Sequence, residues 1–143
     1  MEAPEAREAT IAVELNHTIV FATDRQASAE FIAYVLGLEA GAPFGPFLPV
    51  ETANHVTLDY ATAPPGTDIS VQHYAFLVSE EEFDAALARI QEARIEYFAD
   101  PHLTMPGQIN HLYGGRGVYF RDPDGHGMEI ITAPYTRTPT APG

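Results

Sequence analysis

Apolar positions along the chain follow two alternating patterns. The run IAVELNHTIVFA (11–22) is dense in β-branched and aromatic residues without helical spacing, which predicts a buried strand with His17 in its middle. Over about 24–36, Phe31, Val35 and Leu36 recur at helical spacing. Thr23 and Gln26 form a capping box before them, and Gly37 supplies a C-terminal stop. GAPFGPFLPV (41–50), interrupted by proline and glycine, predicts two short strands that bend or lie at an edge. HVTLDYA (55–61) predicts a clearer strand, and TAPPGTD (62–68) a linker.

The same order then begins again. SVQHYAFLV (70–78) reads as a strand carrying His73, and Ser79 with Glu82 forms a second capping box ahead of a helix whose Phe83, Leu87 and Ile90 share one face. IEYF (95–98) starts a short strand; a loop rich in proline and glycine follows, then the strand GVYFR, the turn DPDG and the final strand MEIITA. Both halves read β-α-β-β-β. His17 and His73 stand 56 residues apart, as do the helix starts at Thr23 and Ser79, whereas Asp59 and Glu129 in the closing strands stand 70 apart. A duplication explains these offsets if the second half has gained 14 residues, which fall in the loop around 99–115. Such long loops are often lids or binding loops. The expected organisation is a single domain over 11–134, with module one at about 11–62 and module two at about 70–134. A disordered tail at 1–10 and a flexible tail at 135–143 flank it.

A chain of 143 residues suits one domain with a core that needs no disulfide or structural metal. Its 20 acidic against 7 basic residues give a formal charge of -13, which argues against nucleic acid and anionic membrane surfaces as partners. All the basic residues are arginine, so Schiff-base and P-loop lysine chemistry is excluded. The absence of cysteine excludes thiol nucleophiles and thiolate metal sites. No secretory signal or long apolar run is present, and the expected address is cytoplasmic.

Two modules placed side by side bring equivalent strand positions together across a pseudo-two-fold axis. His17, His73 and Glu129 are then candidates for one cup, with Asp59 as a further carboxylate. Two imidazoles and a carboxylate on one face of a metal leave positions open for substrate or dioxygen.

The segments LNHTIVFATDRQASAEFIAYVLGLEA, VQHYAFLVSEEEFDAALARI and GVYFRDPDGHGMEI resemble three signature segments of the vicinal oxygen chelate superfamily. That superfamily contains glyoxalase I, extradiol dioxygenases, fosfomycin-modifying transferases and bleomycin-binding proteins. The resemblance spans nearly all of 11–134. It implies an α+β fold of two βαβββ modules forming a cupped mixed β-sheet with the helices outside. It also implies a divalent metal held by His17, His73 and Glu129, with Asp59 at the position of the fourth ligand of glyoxalase I.

Tyr119 matches the position where extradiol dioxygenases and fosfomycin transferases have a tyrosine over the substrate. Its neighbour Phe120 should face the opposite way. In INHLYGGRG, His111 is a candidate acid or base, while Asn110, Tyr113 and Arg116 are candidates for binding substrate. Arg116 has the alternative of fixing the loop to a carboxylate. His126 belongs to the DPDG turn, and no catalysis is expected of it.

These readings predict a metal-dependent enzyme acting on a small, oxygen-rich, aromatic substrate in the manner of an extradiol dioxygenase. Fe2+ is the favoured ion, with Zn2+, Mn2+ or Ni2+ as alternatives, and the expected assembly is a homodimer. The first alternative is a glyoxalase-like isomerase, lyase or transferase using the metal as Lewis acid. Fosfomycin modification is disfavoured, because the lysine with which those family members hold the phosphonate has no counterpart in a lysine-free chain. The second alternative is a bleomycin-resistance-like binding protein.

Overall fold

A computed structural model describes residues 12–139, so the predicted tail at 1–10 and the last four residues of the other tail lie outside the described residues. The first module runs β1 (His17–Ala22), α1 (Arg25–Leu36), β2 (Phe47–Glu51) and β3 (Thr57–Thr62). Its sheet has the order β1-β3-β2, with β1 parallel and β2 antiparallel to β3. The second module runs β4 (His73–Leu77), α2 (Glu80–Glu92), β5 (Tyr97–Phe98), β6 (Gly117–Arg121) and β7 (Gly127–Ile131). Its order is β4-β7-β6-β5, with β4 parallel to β7 and antiparallel pairing elsewhere. The architecture is α+β, with two mixed sheets built on one plan.

The first module departs from the predicted β-α-β-β-β in one place. Between α1 and β2 only the isolated bridges Ala40↔Val50 and Phe44↔Phe47 form. Pro43 and Pro46 lack the N–H a ladder needs, and Gly45 turns the chain at φ 59°. The start of α1 also differs. Asp24, not Thr23, is the N-cap, its carboxylate accepting from the N–H groups of Gln26 and Ala27. Thr23 is occupied instead by Asp124, to which it donates through both its N–H and its hydroxyl. The predicted caps at Gly37 (φ 71°) and at Ser79 with Glu82 are present. Glu80, Glu81 and Glu82 occupy the first turn of α2, where the helix dipole favours negative charge.

Each helix covers one face of its sheet. Val20, Ile32, Leu58 and Tyr60 from the first module join Phe83, Ile90, Phe120 and Met128 from the second in one continuous core. The apolar ones among these side chains each contribute roughly 1.5–3 kcal/mol by leaving water, whereas Tyr60 buries a hydroxyl that has no partner among the described residues. Phe31 of α1 meets Phe120 of β6 across the junction, with ring centroids 6.1 Å apart.

The turn between β6 and β7 locks the modules further. His126, 1% exposed, lies between them. Its Nδ1 accepts from the Gln72 N–H at 2.9 Å, and its Nε2 donates to the Phe21 carbonyl at 2.8 Å. The opposite face of each sheet is left open, and Ile19, Phe21 and Leu77 stand about half exposed on these faces.

Candidate metal centre

Strand alternation settles which side chains share the open face of the second sheet. Val118, Phe120, Met128 and Ile130 point to the core, so Tyr119, Arg121, Glu129 and, on β4, His73 point away from it. Glu129 stands opposite Tyr119 on one side and Ala75 on the other. His73 reaches it from two residues along β4, its Nε2 lying 3.0 Å from Glu129 Oε1. Gly127, opposite His73, makes room for the ring, since a Cβ there would lie 3.3 Å from Nδ1.

Glu129 is 2% exposed, whereas the His73 side chain is half open to solvent. The second carboxylate oxygen, Oε2, accepts from the Tyr135 hydroxyl at 2.5 Å. That hydroxyl lies 3.2 Å from the Tyr119 hydroxyl. With its one proton directed at Glu129, Tyr135 can only accept from Tyr119. Burial, the hydrogen bond to Tyr135 and the Glu129 charge push the Tyr119 phenol far above its ordinary range. Burial and Glu129 raise Tyr135 likewise, so both stay protonated donors. Tyr113 stacks on Tyr135 at 4.5 Å between centroids, and the Arg137 guanidinium lies over the Tyr135 ring.

His17, the third predicted ligand, stands on β1 of the other sheet, exposed, with Nδ1 2.7 Å from Asn16 Oδ1. Among the described residues, no three His, Asp or Glu side chains of one chain gather as a metal-holding group. Asp59 lies on β3 in register with Ile19, facing away from the core residues Leu58 and Tyr60. It therefore shares the open face of the first sheet with His17. One chain thus offers His73 and Glu129 on one open face, and His17 with Asp59 on another.

The loop candidates divide. Tyr113 reaches the site through its stack on Tyr135. Asn110 is occupied with the loop itself, donating to the Ala99 carbonyl and accepting from the Leu112 N–H. His111 is exposed, just ahead of the short 3-10 turn at Leu112–Gly114. Arg116 takes its alternative role: it pairs with Glu80 at 2.7 Å and Asp84 at 2.8 Å and lies over the Phe83 ring. Thr132 and Arg116 together hold Glu80 below the ordinary carboxylate range.

Two residues escaped the sequence reading. Tyr135 lies past the last strand, where periodicity gives no sign of a contact. Arg121 was visible as the residue two beyond Tyr119 on the same strand face. A cleft of about 390 Å³ opens beside His73, lined by Val71, Leu103, Tyr119, Arg121 and Met128 among others. A larger crevice, about 600 Å³, runs along β4 against residues 52–58 of the first module and shares His73 with the smaller one.

Residues 14–130 match the family described as Glyoxalase/Bleomycin resistance protein/Dioxygenase superfamily. The chain is similar to a solved structure named oxidase ChaP-H2, at 55% identity and a TM-score of 0.84 over 87% of this chain and 97% of that one. A glyoxalase/dioxygenase from Nostoc punctiforme is 28% identical with a TM-score of 0.63, over 85% and 92% of the two chains. Glutathione transferase FosA of Serratia marcescens is 31% identical over 121 residues, which is 81% of this chain and 78% of the transferase.

Proposed function

Because the chain belongs to the Glyoxalase/Bleomycin resistance protein/Dioxygenase superfamily, we propose that it is a metal-dependent enzyme that uses dioxygen to oxidise a small, oxygen-rich aromatic substrate. The observation that carries this reading is the approach of His73 Nε2 and Glu129 Oε1 to 3.0 Å on an open sheet face beside Tyr119. The 55% identity to a protein named an oxidase supports it. The donors suit a divalent ion: an imidazole nitrogen and a buried carboxylate side by side, with one flank open to solvent.

The third donor is His17 of the partner subunit in a homodimer. Each chain exposes two half-sites bordered by apolar Ile19, Phe21 and Leu77, and two copies related by a two-fold axis cover both. Asp59 of the partner subunit enters the same cup beside it.

When bound, iron(II) supplies Lewis acidity and electron transfer to dioxygen, while zinc, manganese or nickel supplies the Lewis acidity alone. Tyr135 holds Oε2 of Glu129, leaving Oε1 toward His73. The Tyr119 hydroxyl can turn from Tyr135 to hydrogen-bond a substrate oxygen, and its ring, 6.2 Å from that of His73, forms one wall of the substrate space. Ring opening with both atoms of dioxygen entering the product needs no external reductant, consistent with a site that offers no thiol of its own.

The similarity to FosA favours a second reading, Lewis-acid transfer of a thiol to a small substrate. An oxygen electrode separates the two. Iron-reconstituted protein with a panel of catechols should consume one dioxygen per substrate opened. Absence of uptake, together with thiol conjugation by the zinc or manganese form, would overturn the oxidative reading in favour of the transferase.

A further inference from the structure

The cleft beside His73 contains a cation that the fold does not use. Arg116 is held by Glu80 and Asp84, Arg89 by the Val35 carbonyl and Arg25 by the Gly45 carbonyl. Arg121, exposed and on the same face of β6 as Tyr119, forms no ion pair among the described residues. What sets Arg121 apart from the other described arginines without an ion pair is its position: it lines the cleft that also contains His73 and Tyr119.

Its surroundings are built rather than incidental. Leu103, which lines the cleft together with Pro101, holds a left-handed backbone at φ 60°, a conformation costly for a branched side chain. Asp100 fixes that turn, its carboxylate accepting from the N–H groups of Thr104 and Met105 and from the Thr104 hydroxyl. These residues come from the loop by which the second module exceeds the first. Gly127 and Met128 add to the lining, and Tyr119 and His73 stand at the end nearest the candidate metal ligands. His73 on β4 and Arg121 on β6 both stand opposite Gly127 of β7, so the candidate metal ligand and the guanidinium flank the same position across the sheet, with apolar residues making up most of the remaining lining.

We propose that this cleft is a substrate subsite in which Arg121 binds an anionic group, a carboxylate or an acidic phenolate, on an aromatic ring whose vicinal oxygens lie toward His73 and Glu129. The inference rests on the function proposed above and narrows its substrate class to anionic aromatics. At about 390 Å³ the cleft has the volume of a small-ligand pocket and admits one or two fused rings. A planar fork with two parallel N–H donors suits a carboxylate, and its charge offsets the self-repulsion such a substrate meets on approaching an acidic protein.

The test is calorimetric binding of catechol, 2,3-dihydroxybenzoate and 3,4-dihydroxybenzoate to the zinc-loaded, redox-silent protein. Wild type should bind at least one of the carboxylates about tenfold tighter than catechol, equivalent to about 1.4 kcal/mol. R121Q should abolish that preference while keeping catechol affinity and zinc content, and R121K should restore part of it. Equal binding of all three compounds by wild type, or a preference that survives in R121Q, would overturn the subsite and leave the proposed function standing. Failure of the zinc form to bind any of them would overturn both.

Discussion

Glu129 is a carboxylate buried to 2% exposure in a chain that already carries excess negative charge, and such a group needs strong partners at both oxygens. His73 stands at one oxygen and Tyr135 at the other. Removing the Tyr135 hydroxyl frees the carboxylate to rotate, and loss of such an outer hydrogen bond typically weakens metal binding by about 10- to 100-fold. Y135F should show that loss in a competition titration with a chelator. Y119F should keep wild-type metal affinity and lose about 10- to 100-fold in kcat/KM, the scale of one hydrogen bond to a charged or polarised oxygen. Equal metal affinity in Y135F and wild type would remove Tyr135 from the site. At this scale the strand and face of His73, Glu129 and Tyr119 were legible in strand alternation, while Tyr119 was singled out on that face only by the family resemblance. Tyr135 was not, because a residue past the last strand is placed by tertiary packing alone.

The β6–β7 turn shows how the elements are held in place. Asp122 is 5% exposed; its Oδ1 accepts from the N–H groups of Asp124 and His126, and its Oδ2 has no hydrogen-bond partner among the described residues. Burial raises its pKa above the ordinary aspartate range, with the Asp124 charge adding to the effect. The N–H of His126, its ring and the N–H of Asp124 oppose the shift. The folded chain therefore keeps a proton that the unfolded chain has already lost. Its stability falls as pH rises from the ordinary aspartate value through the raised one, and the full penalty stands above that.

D122N keeps an acceptor for the two N–H groups and removes the buried charge, so its stability relative to wild type should climb as pH rises above the ordinary aspartate value of about 4 in urea unfolding. A difference that stays flat with pH would contradict this account. The helices and their stops were legible in spacing and caps. Of the two short, bent or edge strands expected over 41–50, one forms as β2 and the other shrinks to isolated bridges, because Pro43 and Pro46 remove the donors a longer ladder needs. Thr23 was read as a cap because a sequence-local rule cannot see Asp124, a hundred residues away, claiming it.

At the scale of the whole molecule, the duplicated plan yields two open faces, one bearing His73 and Glu129 and the other His17 and Asp59, which are the parts of the proposed ligand set. The sequence carried the two modules and the chemistry on each. It did not carry the distribution of the proposed ligands over the two faces, because spacing says which strand a residue occupies and nothing of which sheets confront each other. Among the described residues no helix is long and apolar enough to cross a membrane. A site shared between subunits requires that two copies complete each other. The direct measurement is metal content and activity in a mixed dimer purified from co-produced H17A and E129A chains carrying different tags. Either homodimer should bind no metal tightly. The mixed dimer should hold one ion and about half the wild-type activity, because one of its two sites takes His17 from the E129A chain and Glu129 from the H17A chain, both intact. A mixed dimer as empty and inactive as the two homodimers would contradict a site shared between subunits.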